Sequence, residues 1–340
     1  MKKSSWKELT PAVAAVLTLA VAAADLLWGG QLGASPEVIT GIRLPRITVA
    51  LIAGASLALG GLQMQSIFRN PLADPHIMGI SAGAGLGAAV AILTAGSGLT
   101  GAAGGWFTGA AGGGLTGAAA GCGLTLTGAA FLGAILAGIL IMAVSTKVKS
   151  ASTLLIFGIM LGYVFNAAVA LLQFSSNAES LKLYYSWAAG SFSNCGWSRT
   201  GAAAICLAAG VALSLCNIRG LNIVLFGDEY AELSGSRVRL TRGVAMLGCC
   251  LMTASVTAFC GPLGFVGIVA PHIARRLCGS SDHAKTIPAS IVTGAGLCVT
   301  ADLAAQLWSR FASAVPTGSM LAVIGIPMVM VILLSGRSGR

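Results

Sequence analysis

Residues 43–87 read RLPRITVALIAGASLALGGLQMQSIFRNPLADPHIMGISAGAGLG. Two apolar runs, 45–67 and 76–96, meet at a short polar stretch that holds Asn70, Pro71, Asp74 and Pro75. Prolines break a helix by removing an N–H donor and clashing with the preceding turn. Each run is about as long as the ~20 residues an α-helix needs to cross a bilayer. The stretch therefore predicts two membrane helices joined by a tight, proline-broken turn. Gly79, Gly83 and Gly87 form two overlapping GxxxG patterns, which let helix backbones approach closely. Ordinary helix packing accounts for them as well as a transport role does.

Working outward, similar apolar runs fall at 11–28, 124–144, 153–174, 198–216, 243–260, 263–278, 287–308 and 317–334. Ten spans with short connections fill the 340 residues as a single transmembrane domain, 1–340. Composition agrees, with 56% hydrophobic and 9% charged residues and a mean hydropathy of +0.88. A soluble domain carries about 25% charged residues, so a soluble enzyme is excluded. The net charge of +10 is not a nucleic-acid footprint, because the basic residues cap apolar runs and form no patch with aromatics. The nine cysteines have no CxxC pair and no metal-ligand spacing. The N-terminal run lacks a cleavage site and carries Asp25, so it reads as an uncleaved first helix.

An even number of spans puts both termini on one side, and cytoplasmic loops are the ones rich in Lys and Arg. With the termini inside, Arg43, Arg46, Lys182, Arg199 and Arg310 are the only basic residues left outside, out of twenty. An eleventh crossing in the charge-free, Gly/Ala-rich segment 97–123 would reverse that bias. The segment is therefore expected to be a low-complexity outer loop. Asn70-Pro71-Leu72-Ala73 and Gly261-Pro262-Leu263-Gly264 echo each other on opposite sides of the membrane, five spans apart, as in an inverted-topology repeat.

Four stretches taken together carry a resemblance: residues 43–87 above, WAAGSF at 187–192, LNIVLFGDEYAELSG at 221–235 and GPLGFVGIVAPHIARRLCG at 261–279. In this order they resemble the permease subunits of type II ABC importers, the FecCD-like family that carries iron–siderophore complexes, haem and cobalamin. The likeness runs from about residue 40 to the end. It implies an all-α integral membrane protein with the type II ABC importer permease fold, working in the bacterial inner membrane as a homodimer. Two ATP-binding subunits would dock on the cytoplasmic face and a substrate-binding protein on the outer face. No cofactor is expected in this chain, since ATP and Mg belong to the partner ATPase. The sequence has no G-x-x-x-x-G-K-[ST] phosphate loop with which to hydrolyse ATP itself.

The resemblance also assigns residues. Gly227, Asp228, Glu229, Ala231, Glu232 and Gly235, in the inner loop 217–242, match the helices that couple to the ATPase. Here the motif ends Leu233-Ser234-Gly235, where the family's usual ending is Ser-Leu-Gly. Arg43 and Arg46 match arginines that engage the binding protein. Gln306 stands where a further arginine is expected, and Arg310 is the substitute. Ser150, Ala151 and Ser152 align with the inner gate. Asn166 and Gln173 lie on the fifth span, expected to line the path, and a buried amide there serves equally as glue between helices. Asn70, Pro71, Gly79, Gly83, Gly261, Pro262, Gly264, Pro271 and His272 are motif residues with structural roles. Asp25 and Asp302 lie near outer helix ends, where a solvated position is expected. His76, His272 and His283 have no metal spacing. Two rival functions remain at this level: a secondary transporter driven by an ion gradient, and an ABC permease for free metal ions.

Overall fold

The computed structural model describes residues 3–28, 35–95, 115–148, 150–193, 195–309, 311 and 315–335. Its helices in chain order are α1 (Lys3–Trp28), α2 (Leu44–Phe68), α3 (Ile80–Ala95), α4 (Leu115–Ser145), α5 (Ala151–Phe174), α6 (Ala178–Ala188) and α7 (Trp197–Cys216). There follow α8 (Ile218–Val224), α9 (Asp228–Leu233), α10 (Val238–Cys260), α11 (Val266–Cys278), α12 (His283–Trp308) and α13 (Thr317–Ser335). No strand occurs among the described residues. A turn of α-helix, Pro36–Val38, and a π-turn, Ile39–Arg43, run directly into α2.

Every apolar run of the sequence carries a helix. Six described helices are long and apolar enough to cross a membrane, and Pro11–Leu27, Ile80–Leu93 and Thr317–Ile332 are shorter apolar ones. α11 has only 13 residues. Several boundaries differ from expectation: α1, α10 and α12 begin at Lys3, Val238 and His283, ahead of the runs 11–28, 243–260 and 287–308. Residues 115–123, read from sequence as part of an outer loop, belong to α4, because a Gly/Ala/Leu/Thr segment without proline can extend an apolar helix. Residues 96–114 of the same segment lie outside the described residues.

α2 is the axis of the fold, with 83% of its apolar window buried, followed by α10 with 72%. Small residues make this density possible. A Cβ on Gly54 would run into the Gly294 backbone of α12, and one on Gly61 into the Gly267 backbone of α11. Gly83 and Gly87 face Gly133 and Ala129 of α4 in the same way, so both GxxxG glycines serve backbone-to-backbone packing. Gly79 turns to α5 instead, where a Cβ would stand 2.9 Å from the Gly158 carbonyl.

The connection 69–79 does not stay at the end of α2. Its Pro75 ring packs on Gly60, two turns back up α2, and Asp74 reaches Gly267 of α11. The segment thus folds back into the helix bundle before α3 begins. Its polar groups are met locally, since Asn70 Oδ1 accepts the Leu72 N–H at 3.0 Å and the Asn70 carbonyl accepts the Ala73 N–H at 3.1 Å. Residues 261–265 behave alike. Gly261 (φ 79°) packs so closely on the Trp187 carbonyl and Gly190 that a Cβ has no room. The short α11 then starts inside the bundle, level with Leu57 and Gly61 of α2. Pro71 and Pro262 therefore each open a segment that ends in a helix beginning within the fold.

Candidate functional site

Three regions collect the residues singled out in the sequence. The first is the loop between α7 and α10. The charges of GDEYAELSG place Asp228 and Glu229 in the first turn of α9, where acidic groups offset the positive end of the helix dipole. Gly227 precedes it at φ 116°, a backbone conformation that side-chain-bearing residues rarely adopt. Ala231 is fully buried with Val224 and Val238, so the inner side of this one-turn helix is pinned. Its outer side carries Glu229 and Glu232 and three large exposed apolar residues: Phe226, Tyr230 and Leu233, the last 89% exposed. Phe226 and Tyr230 stack with ring centroids 5.6 Å apart. Ser234 bonds back to the Tyr230 carbonyl and Gly235, at φ 75°, closes the turn. Arg242 of α10 pairs with Asp228 through Oδ2 at 2.5 Å.

The second region is the opposite end, where α1, α2, α12 and α13 meet. Asp25 and Asp302 are 1% and 0% exposed, which overturns the solvated position expected from their places near helix ends. Arg46 holds Asp302 with two parallel bonds, Nε to Oδ2 at 2.7 Å and Nη2 to Oδ1 at 2.9 Å. Such a fork is the strongest protein geometry for a carboxylate. Gln306 donates to both Asp25 Oδ1 (2.8 Å) and Asp302 Oδ2 (2.9 Å), and Thr317 adds a third donor to Asp302. Gln306 is thus a bridge within the bundle. Arg43 donates from Nη1 to the Leu26 carbonyl at 3.0 Å and remains half-buried. Arg310 lies outside the described residues.

The third region is α5. Ser150 precedes the helix with an extended backbone; Ala151 is buried and Ser152 exposed. One face packs on α3 through Gly158 and Gly162. The other presents Met160, Tyr163, Val164, Leu171 and Phe174 together with Asn166. Gln173 is half-buried. α5 leaves a large apolar face open, with only 22% of its apolar stretch buried, a share that α7 matches.

The family model of the FecCD transport family matches residues 11–335. The chain belongs to the FecCD transport family. A cobalamin import system permease protein of Halobacterium salinarum is 32% identical over 331 residues, covering 96% of this chain and 79% of the relative. A vitamin B12 import system permease protein of Klebsiella pneumoniae is 32% identical over 87% of this chain and 82% of its own. Among solved structures, a chain assigned to the metal-chelate type of ABC transporter, in an inward-facing conformation, superposes with a TM-score of 0.81. It is 28% identical and covers 96% of this chain and 98% of its own. This FecCD protein is therefore a multi-pass membrane protein with the ABC permease fold.

Against that frame of helices, several polar residues stand out that the sequence did not flag. His283, 1% exposed, sits where α12 begins. Its Nε2 lies 2.7 Å from Ser66 Oγ of α2 and its Nδ1 2.6 Å from Asn222 Oδ1 of α8. Asn222 in turn donates to Asp282 at 2.7 Å, and that bond, with the Ala284 N–H, holds the Asp282 carboxyl below its ordinary range. The chain Ser66–His283–Asn222–Asp282 fastens the loop bearing α9 to the transmembrane helices. Only Asp282 and His283 are neighbours in the sequence; nothing in it links them to Ser66 or Asn222. His272 Nδ1 lies 3.3 Å from the Ile268 carbonyl within its own helix. Among the described residues no group of three His, Cys, Asp or Glu is placed to hold a metal ion.

Proposed function

We propose that this chain is the membrane-spanning subunit of an ATP-driven importer for a bulky metal chelate of the siderophore, haem or cobalamin kind. Cobalamin is the first compound to test, given the activities named for both relatives. The observation that carries the reading is α9: a short helix anchored from behind by Ala231 and showing Phe226, Tyr230 and Leu233 outward. Exposed apolar groups rimmed by Glu229 and Glu232 make a docking knob, and an ATPase subunit is the partner a chain without a phosphate loop requires. The ten membrane spans expected from the sequence form one domain over 1–340, with both termini cytoplasmic in the inner membrane. Two copies associate through the open face of α5, and the chelate passes between them, along Asn166 and Gln173, with Ser150, Ala151 and Ser152 at the inner gate. The substrate-binding protein docks at the outer end near Arg43, Arg46 and Arg310. Nothing in this chain performs covalent chemistry. ATP binding on the partner biases inward- against outward-facing states, and the helices convert that bias into alternating access.

Reconstitution tests it. Liposomes holding this chain with its ATPase inside and binding protein outside should accumulate labelled cobalamin or ferric siderophore only with ATP enclosed in the lumen, and vanadate enclosed with it should stop uptake. Uptake driven by an ion gradient, indifferent to vanadate, would refute the proposal.

A further inference from the structure

A cavity lies between the ends of α2, α11 and α12 nearest α9, the end that the charge count places inside. It measures about 290 Å3 and is lined by Gln65, Ser66, Arg69, His272, Arg275 and Ser281, with Leu225 of the α8–α9 connection closing one side. The function proposed above gives it no task. Its charge is one-sided. Among the described residues, neither Arg69 nor Arg275 has a carboxylate partner within 4.0 Å. Arg275 donates to Gln65 Oε1, and the Gln65 amide is spent on the Gly267 carbonyl at 3.0 Å.

The acidic groups nearby are already engaged. Asp282 accepts from Asn222 and from the Ala284 N–H, and Asp228 is held by Arg242. The His283 ring, also on the wall, is committed to Ser66 and Asn222. Two guanidinium groups therefore border one small polar cavity with no anion paired to them among the described residues. Like charges brought together in this way repel, so the arrangement is favourable when an anion sits between them. Guanidinium forks match the oxygens of a phosphate group better than any other common anion class. Basic pockets between helix ends on the cytoplasmic side are also where phosphate headgroups bind.

We propose that this cavity is a binding site for a phosphate group, held between Arg69 and Arg275. The site would bear on coupling, because Arg69 Nη1 lies 3.2 Å from where a Cβ on Gly227 would stand, at the base of α9. A bound phosphate would cross-brace α2, α11 and that base.

The phosphate could come from solution or from a lipid headgroup, and the test separates the two. The full-length permease is placed in nanodiscs of phosphatidylcholine and titrated with inorganic phosphate at constant ionic strength, reading the melting temperature. A parallel set of discs contains phosphatidylglycerol and no phosphate. A saturable rise in the first set identifies a soluble phosphate ligand; a rise confined to the second identifies a headgroup. Arg69→Asn keeps the left-handed backbone that Arg69 adopts (φ 47°), which Asn tolerates, and removes the cation. It should raise the half-saturating concentration about tenfold or more, the loss expected for one charge-assisted hydrogen bond. Arg275→Gln should do the same, whereas Lys285→Gln, exposed and outside the cavity, should not. If Arg275→Gln fails to fold for want of its Gln65 bond, Arg69→Asn still decides. No saturable response in either set, or an Arg69→Asn response equal to that of the parent chain, overturns the proposal.

Discussion

Replacing Arg46 by Met asks whether this arginine serves the bundle or a partner. Asp302 has no exposed surface and would lose both guanidinium bonds, keeping only the Gln306 amide and the Thr317 hydroxyl. Removing one partner of a buried ion pair costs about 3–5 kcal/mol, because the other charge stays buried and uncompensated. Arg46 retains 22% side-chain exposure, so part of its desolvation was never incurred, which places the cost near the lower bound, about 3 kcal/mol. Adding Asp302→Asn removes the stranded charge while leaving an acceptor for Thr317. The double variant should therefore recover to within about 1 kcal/mol of the parent, as expected where two groups act as one unit. Detergent denaturation of the purified permease reads all three variants. The loss should also be nearly independent of salt, since buried pairs are poorly screened. A change below about 0.5 kcal/mol for Arg46→Met, the range of ordinary surface substitutions, would refute a structural role. If binding-protein affinity then fell steeply with salt, Arg46 would belong to the docking surface.

Two further outcomes follow from the packing and the docking knob. Gly87→Ala should destabilise by about 1–3 kcal/mol, an overpacking cost, since its Cβ has no room against the Ala129 backbone. Gly128→Ala, with open space around it, should be neutral or slightly stabilising in the same denaturation assay. Leu233→Asp should abolish co-purification of the ATPase without altering permease stability, whereas Asp228→Asn should lower stability by taking from Arg242 its carboxylate. Intact ATPase association in Leu233→Asp would remove α9 as the docking element.

The amino-acid sequence by itself determined the membrane class, the positions of the apolar helices and the family, but not the short helices α6 and α8. Long apolar runs have one stable solution in hydrocarbon, a helix with its backbone bonds satisfied internally, and that solution needs no knowledge of neighbours. The largest boundary it misplaced, 115–123, falls where Gly, Ala and Thr suit a loop and an apolar helix equally. The short helix within GDEYAELSG was anticipated only through the family resemblance, because its charges alone read as a solvated loop. What tertiary structure decided is where polar groups far apart in the chain meet. Asp25, Arg46, Asp302 and Gln306 come from three helices, and their convergence turns expected solvated charges into a buried network. Ser66, Asn222 and His283 meet in the same way at the other end. Hydropathy and spacing report a residue's own preference and its helical face. Whether a charge on that face is hydrated or paired depends on which helix packs against it, and close approaches such as Gly54 on Gly294 and Gly61 on Gly267 set that pairing.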